Sequence, residues 1–402
     1  MNVLKASVPD KNAAEKHVIW ISGESWDRDG GTHRAMAIAL SAYARILWVD
    51  PPTSPVTRNK KKRIIKPVLF EATDRIACLR PVVLPRFSRL GVRATTPTLM
   101  RAQVRWAVRK LGFRPSAVVM LYLGGLLGRW GDGITNVMFG TDDYVAGAHL
   151  MGLSARHLRK RERQALSKAD VVVAISDYLA RRWSDMQAKP IVIPNGCWPL
   201  AEATDRPSAE EADLARPMAG LVGRLSERID FDIIDAIADS GQSLLLIGPR
   251  DPHWETERFR ELVSKPSVCY LGSVANGEVP TRLATIDVGI TPYRDSAFNR
   301  ASFPLKTLEY LSVGVPVVAT SLPSMRWLRA DLEKAVPTDL ADQILVLADH
   351  GQDYVSAIQK MAASHREVAG HCIAFAERHS WPRRAEQFAT EIGLLAISPS
   401  ER

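Results

Sequence analysis

Short apolar runs recur along the chain, separated by longer stretches in which apolar residues return every three or four positions. The runs at 17–23, 46–50, 76–84, 117–123, 136–139, 171–175 and 191–194 read as strands, with helical patterns between several of them. A charged segment rich in Ala, Glu, Asp and Pro follows at 201–217, and the alternation then restarts at 221–223, 244–247, 268–271, 288–291 and 315–319. Runs apolar at every position mark strands buried on both faces, as in parallel sheets flanked by helices. Repetition of the scheme predicts an α/β chain of two Rossmann-like domains with parallel sheets. The expected organisation is a tail at 1–16, a first domain at 17–200, a linker at 201–217, a second domain at 218–380 and a terminal helix at 381–402.

Residues 302–320, Ser-Phe-Pro-Leu-Lys-Thr-Leu-Glu-Tyr-Leu-Ser-Val-Gly-Val-Pro-Val-Val-Ala-Thr, compress this pattern most sharply. At about 100° per residue, Ser302, Lys306 and Glu309 share one narrow helical face, while Leu305, Leu308 and Leu311 spread over another. Pro304 suits the first turn, Gly314 stops the helix, and 315–320 is a buried strand. The helix start, with its free N–H groups and dipole, could hold an anion. An ordinary helix whose lysine and glutamate pair in solvent is the plainer alternative.

Composition excludes fibrous and disordered classes, with 46% hydrophobic and 24% charged residues in 402. Cys78, Cys197, Cys269 and Cys372 form no Cys-x-x-Cys pair and read as reduced core residues of a cytosolic protein. The N-terminal tail has no apolar core of a secretory signal, and the apolar stretch 117–128 is too short to cross a bilayer. Charge is uneven: residues 1–200 hold 32 Lys/Arg against 15 Asp/Glu, a net +17, whereas residues 201–402 carry a net −8. A basic half implies a phosphate-bearing partner, and without an aromatic-basic motif or a helix-turn-helix pattern an anionic membrane is expected rather than nucleic acid. The cations concentrate at 58–66 and 86–114, where Met100, Val104, Val108 and Leu111 form an apolar stripe beside Arg101, Arg105 and Arg109, with Trp106 nearby. That stripe fits an interfacial helix and equally a surface helix packed on a sheet.

Three further places carry chemistry. After the first strand, Gly30 and Gly31 precede a helical pattern and permit close backbone approach to a phosphate or sugar. Asp50 is the nearest acid for a nicotinamide ribose, a weak dehydrogenase signal, and Asp27-x-Asp29 is a weak metal signal. Asp142 and Asp143 follow the 136–139 strand, where open parallel sheets bind ligands, and a carboxylate there could act as a base; capping of the next helix is the alternative. Arg224 and Arg228 follow the first strand of the second half and could meet phosphate, cap a helix, or pair with Glu227 or Asp230. Asn195-Gly196 reads as a turn.

The phrase Pro-Leu-Lys-Thr-Leu-Glu-Tyr-Leu followed by Gly-Val-Pro-Val-Val-Ala-Thr resembles the donor-site element of GT-B glycosyltransferases of group 1, and within them the bacterial teichuronic-acid and exopolysaccharide types. The resemblance implies a GT-B fold with an interdomain cleft. It implies transfer of a sugar from a UDP- or GDP-linked donor to a lipid-linked or polysaccharide acceptor, with no cofactor or metal, at the inner face of a membrane. By the same resemblance Glu309 binds the ribose, Arg224, Arg228 and Lys306 the diphosphate, and the Leu271-Gly-Ser-Val274 segment, with Ser273, the base. Gly30 and Gly31 match the family's glycine-rich loop, and Asp142 or Asp143 matches the base of some inverting members. The family's first glutamate corresponds to Ala301, so retention or inversion stays open. The stretch from His379 begins the 381–402 helix, which resembles one that folds back over the first domain in this family. A GT-B sugar-nucleotide epimerase, or a catalytically degenerate scaffold at a membrane, are the alternatives.

Overall fold

The computed structural model describes residues 15–28, 30–55, 65–85, 92–199 and 214–395. Residues 1–14 of the expected tail, Asp29, the basic cluster at 58–63, residues 86–91 and most of the 201–217 linker lie outside them. The chain divides into two compact units: residues 1–175, 179–193 and 384–402 form one, and residues 176–178 and 194–383 the other.

The first unit holds an eight-stranded sheet of β1 (His17–Ile21), β2 (Arg45–Val49), β3 (Val68–Thr73), β4 (Ile76–Arg80), β5 (Pro115–Met120), β6 (Thr135–Gly140), β7 (Val171–Ala174) and β8 (Pro190–Val192). Its order is β3-β4-β2-β1-β5-β6-β7-β8, parallel except for the antiparallel β3–β4 pair. Trp20, Trp48 and Phe139 are fully buried in it. From the Trp381–Glu391 helix, Phe388 packs 5.8 Å from the Trp20 ring and 5.2 Å from Phe139.

The Val92–Leu111 helix turns Met100, Val104 and Ala107 into the core. Of the expected stripe Met100 and Val104 are buried and Val108 and Leu111 half-buried, so the helix packs on its own unit as the surface-helix alternative expects. Arg101 donates to the carbonyls of Gly125 at 3.1 Å and Leu127 at 3.4 Å, and Arg105 to that of Arg129 at 2.6 Å.

The second unit holds a wholly parallel six-stranded sheet of β9 (Met218–Val222), β10 (Ser243–Ile247), β11 (Val268–Gly272), β12 (Val288–Thr291), β13 (Val317–Ala319) and β14 (Leu345–Leu347). The order β11-β10-β9-β12-β13-β14 reverses direction between β9 and β12. Such a reversal opens a crevice beyond the carboxyl ends of the strands.

The 302–320 segment differs from the expected single helix. The helix is Leu305–Ser312, and Ser302 caps the preceding Ala297–Ala301 helix instead. Phe303, immediately before a proline, is pushed out of the helical region, so the segment breaks there. At the other end Val315 N–H bonds the Tyr310 carbonyl at 3.0 Å and Gly314 N–H that of Leu311 at 3.0 Å, with Gly314 at φ +80°. This is the paired closure that hands the chain to β13. All four cysteines are free thiols.

Candidate functional site

The crevice in the second sheet is built by Tyr310. Pairing of β9 with β12 stops at Gly220 and Gly289. Beyond it the buried Tyr310 hydroxyl donates to the Gly220 carbonyl at 2.8 Å and accepts from Val222 N–H at 2.7 Å. The phenol thus satisfies strand groups that a neighbouring strand would otherwise take, and it ties the Leu305–Ser312 helix to the point where the strand order reverses.

The adjoining strand ends are bare backbone. Gly223 N–H bonds the Ile247 carbonyl at 2.8 Å, and Gly248 N–H that of Gly272 at 2.7 Å. Gly248 sits at φ +135°, and a Cβ there would run into the Gly223 backbone. Lys306 and Glu309 lie over this edge as a half-buried ion pair, and a Cβ on Gly223 would lie 3.9 Å from Lys306 Cγ. Leu308 and Leu311 face the core, as the spacing predicts.

The other expected donor residues fall in different surroundings. Arg224 follows β9 and is 65% exposed, 3.9 Å from Asp251. Arg228 donates through Nε to Asn299 Oδ1 at 2.9 Å, its guanidinium over the rings of Tyr293 and Phe298. Ser273 is exposed just after β11. Ser302 leaves the Lys306–Glu309 face: it is buried and its hydroxyl donates to the Phe298 carbonyl at 3.0 Å. Ala301 is fully buried, and its carbonyl accepts from the Ser176 hydroxyl at 2.7 Å.

At the carboxyl edge of the first sheet, polar groups are used up internally. Asp50 is buried and accepts four hydrogen bonds, from Trp26 N–H and Trp48 Nε1 at 2.8 Å, Arg80 Nε at 3.2 Å and the Ser25 hydroxyl at 3.3 Å. It anchors the loop after β1 and has no capacity left for a ribose, which removes the basis of the dehydrogenase signal. Asp27 pairs with Arg80, and Asp29 is outside the described residues. Gly30 and Gly31, at φ +81° and +83°, lead into the Thr32–Leu40 helix, with Gly31 at its N-cap.

From that helix the buried His33 makes a chain no sequence reading assigned. Gly23 N–H donates to its Nδ1 at 3.3 Å, so the ring proton resides on Nε2, which donates to Thr141 Oγ1 at 3.0 Å. The chain continues from the Thr141 hydroxyl to Tyr144 Oη at 3.1 Å, and from the Tyr144 hydroxyl to the Leu121 carbonyl. It links the loops after β1, β5 and β6. Burial, with a smaller contribution from Arg28, lowers the His33 pKa to about 3, and burial pushes the Tyr144 phenol up.

The two aspartates after β6 part company. Asp143 is buried; Oδ1 accepts Val145 N–H at 3.0 Å and Ala146 N–H at 2.9 Å, while Oδ2 meets Arg182 Nε at 3.0 Å. Arg182 also holds the buried Glu162, which accepts from Trp183 Nε1 at 3.0 Å. Asp143 therefore closes its own turn, through the N–H groups two and three residues on, and locks the loop. Asp142 is half-buried.

Comparison with known proteins bears on this arrangement. Residues 216–363 match the family model for glycosyl transferases group 1. Over 213 residues the chain is 28% identical to TuaH of Bacillus subtilis (strain 168), assigned to teichuronic acid biosynthesis as a glycosyltransferase; the match spans 51% of this chain and 51% of that protein. Among solved structures, sucrose-phosphate synthase from Thermosynechococcus elongatus superposes with a TM-score of 0.69 at 19% identity, over 93% of this chain and 98% of that one. Anabaena HepE in complex with UDP and glucose superposes with a TM-score of 0.64 at 17% identity, over 95% and 100%. The chain has the GT-B fold, and its likeness to the group 1 glycosyl transferases lies in residues 216–363.

Proposed function

We propose that the protein transfers a hexosyl group from a UDP- or GDP-linked donor to a lipid-linked or polysaccharide acceptor in cell-envelope or exopolysaccharide synthesis, at the inner face of a membrane and without a metal. The observation that carries this reading is the Lys306–Glu309 pair set over the Gly223 strand end, where the sheet order reverses. A carboxylate suits a ribose diol and an ammonium suits a diphosphate, so one ligand can take both partners of the pair. Arg224 adds a solvent-facing cation after the same strand. Relatives support the ligand class: TuaH is assigned to a teichuronic acid pathway and HepE was captured with UDP and glucose.

In the reaction, the acceptor oxygen bonds to the anomeric carbon as the bond from that carbon to the diphosphate oxygen breaks, and its electron pair leaves with the nucleoside diphosphate. Lys306 and Arg224 neutralise the growing charge. In an inverting displacement Asp142 takes the acceptor hydroxyl's proton. No acid occupies position 301, so recognition of the transferred sugar falls to other groups.

Calorimetric titration of UDP and GDP tests this. Glu309→Ala is expected to weaken the preferred nucleotide by at least about tenfold, roughly 1.4 kcal/mol. Unchanged affinity removes Glu309 from the site.

A further inference from the structure

The crossover that carries Asp142 continues into a surface feature that sugar transfer alone does not explain. Leu150, Met151 and Leu153 are 37%, 42% and 52% exposed within four consecutive positions. They are not displayed by a loose loop. Leu153 N–H bonds the Ala148 carbonyl at 2.9 Å, Gly152 N–H that of His149 at 3.1 Å and Met151 N–H that of Ala148 at 3.3 Å, with Gly152 at φ +63°. Much of the turn's backbone hydrogen bonding is thus internal, which lowers the cost of entering an apolar medium.

Directly behind the turn runs the Ala155–Leu166 helix, N-capped by Ser154. Arg156, Arg159, Lys160 and Arg163 are exposed, with no carboxylate partner among the described residues. The helix's one acid, Glu162, points inward to Arg182 and Trp183, while Leu158, Ala165 and Leu166 are buried. The outer face is therefore cationic with no acid to offset it. Arg101 and Arg105 of the Val92–Leu111 helix, by contrast, direct donors to carbonyls of the unit itself.

The geometry points to the 150–153 turn and the cations of the Ala155–Leu166 helix as one docking element for an anionic lipid bilayer. The apolar tip enters at the headgroup boundary and the four cations meet lipid phosphates. A nucleic acid would match the charge but offers no apolar phase for three aliphatic side chains, and the tip presents no aromatic ring for a base to stack on. The tip begins eight residues after Asp142, so docking brings the loop of the proposed base towards the lipid surface. The inference rests on the proposed reading for the acceptor being lipid-linked, but not for the docking itself.

Flotation of the full chain with phosphatidylcholine vesicles, with and without about 30 mol% phosphatidylglycerol, tests it. Binding is expected only to the anionic vesicles and to fade with added salt. Replacing Leu150, Met151 and Leu153 together by Ser should weaken binding by about tenfold or more. Replacing Arg156, Arg159, Lys160 and Arg163 together by Gln should weaken it by roughly a hundredfold. Both variants should keep the wild-type circular dichroism, since every altered side chain is exposed, and the wild-type nucleotide affinity. The inference is overturned if either folded variant floats like the wild type, if neutral vesicles bind equally well, or if the chain ignores vesicles and the same cations retain a nucleic acid or an acidic protein instead. Vesicle binding as expected with silent UDP and GDP titrations would sink the donor reading and leave the docking element standing.

Discussion

The carboxyl edges of the two sheets are built to opposite ends. In the first unit, Asp50 accepts four hydrogen bonds, Asp143 accepts two backbone N–H groups and pairs with Arg182, and His33 closes a chain to the Leu121 carbonyl. In the second unit the edge is glycine backbone beneath a half-buried ion pair, with Arg224 in solvent. A buried polar group whose partners are all internal serves shape, because a ligand could reach it only by breaking those bonds. A charge pair at a solvent-accessible edge can be exchanged at lower cost. The second edge is thus suited to binding a charged molecule, and the first to holding one loop, that of Asp142, in a fixed place.

The largest expected effect breaks the second edge. Gly248→Ala puts a Cβ against the Gly223 backbone at φ +135°, and the unit should lose about 3 kcal/mol of stability. Chemical denaturation followed by hydrogen exchange checks this, with the loss of protection expected in β9 and β10. A variant as stable as wild type would mean the strand ends are not closely packed.

The next effect separates the two aspartates of the first edge. Asp142→Asn should lower turnover by about a hundredfold while leaving the melting temperature and nucleotide affinity near wild type. Asp143→Asn keeps an oxygen for the Val145 and Ala146 N–H groups but deprives Arg182 of a carboxylate, and should cost about 2 kcal/mol of stability. Steady-state kinetics beside thermal melts resolve the pair. An inactive but fully stable Asp143→Asn enzyme, with active Asp142→Asn, exchanges their roles.

How much of this was legible follows from where each partner lies. Strands buried on both faces announce themselves as apolar runs, so most strands of both sheets could be read. β3 could not, because it is an antiparallel edge strand with half-exposed residues and a glutamate, and β14 is only three residues long. Lys306 and Glu309 were legible because helical spacing is local. Ser302 was misplaced because the break before Pro304 outweighed the pattern. His33 and Tyr310 stayed unassigned because Thr141 lies 108 residues from one and Gly220 lies 90 from the other. Nothing near either residue in sequence signals a partner at that distance.

The smallest effect tests whether the first edge is internally satisfied in solution. His33 is buried as the neutral imidazole, with its pKa lowered to about 3, whereas an unfolded histidine titrates near 6.5. As pH falls through 6.5 the unfolded chain therefore takes up a proton that the native state refuses, and stability falls; the loss continues until the native ring also protonates near pH 3. Between pH 7 and 5.5 this group alone should remove about 1 kcal/mol. Since other groups titrate too, the readout is the difference between wild type and His33→Gln, which retains donor and acceptor without a titrating ring. Hydrogen exchange in the loops after β1 and β6 should weaken more steeply with acid in the wild type than in the variant, while the second sheet responds alike in both. Parallel pH profiles for the two proteins at the first edge would mean that the imidazole is open to water, and that the contrast between the edges is weaker than the hydrogen bonds imply.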